Sequence, residues 1–88
     1  MVTIELPAAL RSLAANQPKV RVDAATVEAA LQALCTAHPA LREKLFLEMG
    51  ALKRSVGVFV GDDDVRDEPT RLLTARDTVV LVVAMAGG

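Results

Sequence analysis

The chain is poor in aromatic residues: among its 88 residues only Phe46 and Phe59 are aromatic, and tryptophan and tyrosine are absent. Proteins that bind single-stranded nucleic acid stack bases on aromatic rings and follow the phosphates with an excess of lysine and arginine. Here 10 basic residues stand against 11 acidic ones, and the formal net charge is -1. We therefore expect no nucleic-acid partner and an almost wholly aliphatic core.

A single cysteine, Cys35, excludes an internal disulfide bond, as is typical of proteins from a reducing compartment. The longest apolar run, residues 79–86, is far too short for a membrane-spanning helix. The first residues show no basic segment followed by an apolar stretch, so no signal peptide is predicted. These absences predict a cytoplasmic single domain with no membrane partner.

Alternating apolar and polar residues predict the first two strands, near the start of the chain. The last strand is apolar on both faces, so we expect it in the middle of the sheet, covered on more than one side. Val65-Arg66 is expected to form a short strand after an acidic turn. The predicted strands are 2–6, 19–22, 56–60, 65–66 and 78–83.

One main helix is predicted between the second and third strands. Thr26 is a favourable N-cap, and Glu28 stands in the first turn, where the helix dipole favours a carboxylate. Apolar residues then recur at helical spacing. Pro39 disfavours helical geometry at His38, so the helix should end there. Residues 40–45 are expected to form a short second turn.

This order of elements predicts an α+β fold in which one main helix packs on one face of a mixed four- to five-stranded sheet. That is the β-grasp, or ubiquitin-like, arrangement. We expect this domain to span residues 1–83, with Leu72 and Leu73 filling its core from an irregular segment. Residues 84–88 then form a flexible tail that ends in Gly87-Gly88.

The tail is the candidate functional site. Glycine has no Cβ, so a channel as narrow as a backbone can admit Gly87 and Gly88 and exclude other chain ends. Five residues reach at most roughly 17 Å. The carboxylate of Gly88 is a poor electrophile until ATP adenylates it. Sulfide, or a persulfide with later reduction by a thiol, can then displace AMP and leave a thiocarboxylate. On composition alone, a disordered chain end with no function is an equally open interpretation of this tail.

Several segments match one known pattern: Leu6-Pro7 with Leu10-Arg11, Thr26-Val27-Glu28, Val58-Phe59-Val60 followed by Asp64-Val65-Arg66, Asp77-Thr78-Val79, and Ala86-Gly87-Gly88. Through them, and over its whole length, the chain resembles the ThiS/MoaD family of ubiquitin-like sulfur carriers, most of all its CysO-type members. The glycine often seen before the second strand is absent, and the family's Asp-Gly-Asp turn is Ala75-Arg76-Asp77 here.

The resemblance implies a carrier that is not itself an enzyme. Gly88 would be adenylated and thiocarboxylated by a ubiquitin-activating-type adenylyltransferase/sulfurtransferase that uses ATP, with Ala84, Met85, Ala86 and Gly87 bound by that partner. No cofactor would be bound permanently. A sulfur-accepting synthase would then use the sulfur for cysteine or another sulfur-containing metabolite. The alternatives are the small subunit of molybdopterin synthase, a ubiquitin-like protein modifier, and a plain β-grasp interaction domain.

Other reactive residues have ordinary structural interpretations. Cys35 lies on the apolar stripe of the helix and is expected to be a buried thiol. His38 has no neighbours at metal-ligand spacing, and the acidic run 62–68 lacks the ligand pattern of a calcium loop. Arg11 and Arg66 match family positions, where each either touches a partner or is simply solvated.

Overall fold

The computed structural model describes residues 1–84, which form an α+β fold built on one mixed sheet. The strands are β1 (Val2–Glu5), β2 (Lys19–Val22), β3 (Val56–Val60), β4 (Asp63–Asp64) and β5 (Thr78–Val83). The helices are α1 (Ala8–Arg11), α2 (Val27–Ala37) and α3 (Ala40–Leu45), with a 3₁₀ turn at Ser12–Ala14. The predicted fold class is confirmed.

The strands lie in the order β2-β1-β5-β3-β4, so the last strand is central, as predicted. β1 and β5 run parallel, with Ile4 opposite Val79, while the other neighbours are antiparallel. In the β3–β5 pair Val58 stands opposite Leu81. Because side chains alternate along a strand, this register turns one set of aliphatic residues toward the helices.

Helix α2 begins and ends at the predicted residues. The Thr26 hydroxyl oxygen accepts a hydrogen bond from the Ala29 amide at 3.1 Å, which satisfies one of the free donors of the first turn. Its C-cap is His38, directly before Pro39. The buried residues of the helix recur at helical spacing and face the sheet: Val27, Ala30, Leu31, Leu34 and Cys35.

The core is one aliphatic cluster, in agreement with the shortage of aromatic residues. Within residues 1–84 no polar or charged residue is buried. Phe46 is half-buried against this cluster, and Phe59 is half-buried outside it. The largest fully buried side chains come from all parts of the described chain: Ile4, Leu34, Leu41, Leu45, Leu81, Val2, Val27, Val56, Val58, Val65 and Val79.

Three sequence-based expectations were wrong. The short fourth strand is Asp63–Asp64 rather than Val65-Arg66, because Gly61 at φ +60° turns the chain within two residues and brings Asp63 opposite Val60.

Leu72 is 75% exposed while Leu73 is buried, since this extended segment can turn just one of two successive side chains inward. β5 is not covered on more than one side, because Val82 is 45% exposed on the face away from the core.

Helix α1 and the following 3₁₀ turn were not predicted. They bury Leu10 and Ala14 and reverse the chain before β2. The reversal uses Ala15 (φ 54°) and Asn16 (φ 60°), both in the left-handed conformation. The left-handed conformation costs a residue such as Ala15 about 1–2 kcal/mol, and burial of the preceding side chains offsets it.

Candidate functional site at the end of the central strand

The predicted reactive residue, Gly88, and the neighbouring Met85, Ala86 and Gly87 lie outside the described residues, so their assigned roles stay predictions. The structure describes the point from which they continue. Ala84 directly follows β5, is exposed, and donates its amide hydrogen to the Ser55 carbonyl at 2.8 Å. The chain is therefore held to the start of β3 up to Ala84.

Ser55 belongs to a turn over residues 53–56, closed by the Val56 amide donating to the Lys53 carbonyl at 3.0 Å. Arg66 holds this turn. Its Nη1 donates to the Lys53 carbonyl at 2.7 Å and to the Val56 carbonyl, and its Nη2 donates to the Leu52 carbonyl at 3.1 Å. Arg66 is half-buried and binds this turn, so of the two interpretations that the sequence left open, simple solvation does not hold.

Arg11 makes a comparable contact on the other side of β5. Its Nε donates to the Leu6 carbonyl at 3.1 Å, directly after β1, the parallel neighbour of β5. Arg11 is otherwise exposed. Arg11 and Arg66 therefore both bind main-chain carbonyls at or next to the ends of strands that neighbour β5. Sequence spacing alone gave no sign of these acceptors.

The sheet face away from α2 carries an apolar centre. We call the surface formed by Glu5, Gly57, Phe59, Val80 and Val82 the open face. By register, Val80 lies between Glu5 and Phe59, and Val82 lies opposite Gly57. The apolar centre is flanked by Lys19, opposite Glu5, and by Asp64, opposite Phe59. It adjoins the end of β5 and therefore the base of the tail.

Gly57 shapes the middle of the open face. A Cβ at this position would lie 3.2 Å from Cε1 of Phe59 and 3.7 Å from Cβ of Val82. The first distance is tighter than ordinary van der Waals contact, so the glycine lets the Phe59 ring lie close to the backbone. A larger residue at position 57 would therefore displace the Phe59 ring.

The rival reactive groups have structural explanations. Cys35 is buried, and burial raises the pKa of its thiol, which the charge of Arg42 counteracts in part. A raised pKa disfavours the nucleophilic thiolate. Asp63 pairs with Arg71 at 3.2 Å, and Oδ1 of Asp64 accepts from the Arg66 amide at 3.0 Å. Within residues 1–84 no group of three or more histidine, cysteine, aspartate or glutamate residues is placed to hold a metal ion.

A groove of about 410 Å³ separates the start of α2 from the loop before β3. Its apolar lining includes Leu31, Phe46 and Leu52, and its polar lining includes Glu28 and Arg66. No serine, cysteine or histidine lines it, so it holds no nucleophile paired with a base. No helix in the described part of the chain is long and apolar enough to cross a membrane.

The fold and the surface next to its last strand define a ubiquitin-like β-grasp protein of the kind that acts as a carrier or modifier. The ThiS family model matches residues 4–88, so the chain belongs to the ThiS family. The resemblance seen in the sequence is confirmed. No curated protein matches the chain significantly.

Solved structures agree with this family. A chain of the Amycolatopsis orientalis BexX/CysO complex is 29% identical, with a TM-score of 0.86 and 100% of each chain covered. Haloferax volcanii SAMP1, a small archaeal modifier protein, is 32% identical with a TM-score of 0.86, covering 99% of this chain and 98% of that one. Mycobacterium tuberculosis CysO is 26% identical with a TM-score of 0.84, covering 97% and 100%.

Proposed function

We propose that this protein is a sulfur carrier whose Gly88 carboxylate is adenylated by a partner enzyme and converted to a thiocarboxylate. The observation that carries the proposal is the junction at Ala84: the central strand of a ThiS-family domain ends there, beside an apolar open face, and Met85-Ala86-Gly87-Gly88 follows. A partner that binds the open face therefore has the chain end within roughly 17 Å, the extended length of five residues.

The chemistry needs a carboxylate from this chain and catalysis from the partner. A carboxylate oxygen of Gly88 attacks the α-phosphorus of ATP, pyrophosphate leaves, and a mixed anhydride with AMP forms. Hydrosulfide then adds to the acyl carbon and AMP leaves, which gives the thiocarboxylate. If the sulfur comes from an enzyme persulfide, a thiol must reduce the resulting acyl disulfide. The chain supplies the carboxyl carbon of Gly88 that carries the sulfur, and the adenylating enzyme binds the ATP.

The open face is the docking surface in this proposal. Phe59, Val80 and Val82 supply apolar area, and charged residues flank them, as in the apolar centre and polar rim of protein interfaces. The flanking charges, Lys19 with Glu5 on one side and Asp64 on the other, would orient the partner. The solved complex of a similar CysO with BexX supports a partner protein in general.

In this proposal a sulfur-accepting synthase uses the sulfur for cysteine or another sulfur-containing metabolite, as the resemblance to CysO-type carriers implies. Molybdopterin synthesis remains the alternative within the family. The expected compartment is the cytoplasm, in keeping with the single cysteine of the chain. A second candidate function, attachment of Gly88 to lysines of other proteins, is favoured by the 32% identity to an archaeal modifier protein.

Intact-mass spectrometry tests the proposal. The chain is incubated with the activating enzyme of its own organism, Mg-ATP and sulfide, and its mass should rise by the difference between sulfur and oxygen. Deletion of Gly87 and Gly88 should abolish the change, and Gly88→Ala, which keeps the carboxylate but adds a Cβ, should slow it. An unchanged mass in the native chain would contradict the proposal, and lysine conjugates in a lysate would favour the modifier.

A further inference from the structure

Arg66 is unusual among the described arginines because its guanidinium group donates to three main-chain carbonyls, those of Leu52, Lys53 and Val56. No carboxylate is within ion-pair distance of it in the described part of the chain. These acceptors lie 10 to 14 residues away in sequence. Arg66 therefore fixes the shape of a distant turn rather than neutralising an acid.

The same turn makes the last described contact of the chain before its tail. Val56 pairs with Val83, the final residue of β5, and the Ser55 carbonyl accepts from the Ala84 amide at 2.8 Å. Arg66 thus binds the Lys53 and Val56 carbonyls of the turn at residues 53–56, and Ala84 binds the Ser55 carbonyl that lies between them. A change in the path of that turn moves the acceptor of Ala84.

The side chain of Arg66 suits this task better than a lysine would. A guanidinium is planar and presents five donors in a fixed geometry, whereas an ammonium is a compact point charge on a flexible stem. Two Nη1 contacts and one Nη2 contact hold three carbonyls at once. The backbone of Arg66 is held as well, since its amide donates to Asp64. Hydrogen bonds therefore hold both the backbone and the guanidinium group of Arg66.

We propose that Arg66 is a positioning residue for the tail: through the turn at residues 53–56 it sets the direction in which the chain leaves the sheet after Ala84. The inference rests on the proposed function, because the direction matters when the open face is docked and Gly88 must reach the catalytic centre of the activating enzyme. Arg66 touches neither the carboxylate nor ATP in this proposal.

The structural half is tested without the partner, by amide hydrogen exchange in Arg66→Met, which keeps most of the aliphatic stem. We expect the Ala84 amide to exchange at least about tenfold faster than in the native protein, and the amide of the central Leu81 to change less than about twofold. In Arg66→Lys, the exchange rate of the Ala84 amide should lie between those of the native protein and Arg66→Met. Arg71→Met controls for loss of a cation, since Arg71 pairs with exposed Asp63. Unchanged exchange at Ala84 would overturn the inference.

The functional half is tested by steady-state activation, followed as pyrophosphate release. Because the open face is untouched, Arg66→Met should keep KM for the carrier within about twofold while kcat falls at least about tenfold, as a displacement near 1 Å can cost 10²-fold in rate. Ala30→Gly, a buried helix change outside the turn, controls for lost stability.

The outcomes separate the two proposals. A fall in kcat that Ala30→Gly reproduces, or a rise in KM without a fall in kcat, would overturn the positioning role, because Arg66 would then act through stability or as a docking contact. Native activation with an unaltered Arg66→Met variant would overturn this inference alone. A native chain that the enzyme does not activate would overturn the proposed function, and the positioning role with it.

Discussion

At the scale of single residues, Cys35 shows how position controls chemistry. It is 1% exposed on the buried stripe of α2, and burial raises the pKa of its thiol. The folded chain therefore holds the thiol proton to higher pH than the unfolded chain does. A persulfide mechanism at Cys35 would need an accessible thiolate, and this thiol is buried and stays protonated.

The raised pKa of Cys35 predicts a loss of stability in alkali. Above the ordinary thiol pKa, about 8.5, the unfolded chain has lost this proton while the folded chain keeps it, so the unfolded state binds fewer protons and the free energy of unfolding falls as pH rises. The stability contributed by Cys35 is complete below the thiol pKa of the unfolded chain. It is lost as the pH rises toward the higher pKa of the folded chain. Urea unfolding from about pH 7 to about pH 10 should show the free energy of unfolding falling in the native chain and falling less in Cys35→Ala. An equal pH dependence in the two proteins would contradict the prediction.

Sequence reasoning predicted the fate of Cys35 because helical spacing reports burial directly. It could not predict the fate of Arg66, since the acceptors of its guanidinium are main-chain carbonyls far away in sequence. Nor did it separate Leu72 from Leu73. Which of two adjacent leucines turns inward depends on the pairing of the Leu73 amide with the Ala25 carbonyl, a long-range contact.

At the scale of elements, β5 combines two surfaces. Its buried side, with Val79 and Leu81, packs into the core, and its other side leaves Val82 exposed. The continuous apolar run predicted a central strand correctly, because such runs are typical of strands with neighbours on both edges. The same run suggested cover on both faces, since a sequence does not distinguish an apolar residue that packs within its own chain from one kept for a partner.

Val82→Asp tests the exposed side of β5. Because Val82 is 45% exposed, the variant should fold, while a buried carboxylate at the interface should raise KM for activation roughly tenfold or more. Met49→Asp is the matched control: Met49 is 82% exposed, in the loop before β3 and outside the open face. Equal effects of the two variants would mean that the open face is not the docking surface.

Most elements, including the short β2 and α3, were predicted from sequence, while α1 was missed and β4 was shifted. α2 has a cap, a stripe and a proline after its end, so its limits were clear. α1 has four residues, too few for helical periodicity to show. β4 has two residues, and its position depends on the tight turn at Gly61 rather than on its own side chains.

At the scale of the whole molecule, one aliphatic cluster joins residues from nearly the full described length, from Val2 to Leu81. A domain of this size buries a modest fraction of its surface, so single core residues contribute much of its stability. The tail residues 85–88 follow the last member of the cluster. Stability and the proposed chemistry should therefore be separable by mutation.

Leu81→Ala tests the stability side of this separation. Leu81 is 2% exposed in the central strand, so its truncation should lower the free energy of unfolding by about 2–5 kcal/mol. Deletion of Gly87 and Gly88 should leave it unchanged while abolishing activation. Urea midpoints of the two variants, compared with the native chain, check both expectations; a destabilised deletion variant would show that the tail contributes to folding.

The parallel pairing of β1 with β5, Thr3 beside Thr78, has a consequence for how the protein is made. A ribosome produces β1 first and β5 last among the described strands, yet β5 lies between β1 and β3. Nascent chain without β5 has neither the middle of the sheet nor the aliphatic residues that close the core, and such long-range pairing is slow to form. A chain released before β5 is made should therefore lack a stable fold, rather than form a partly folded version of this domain.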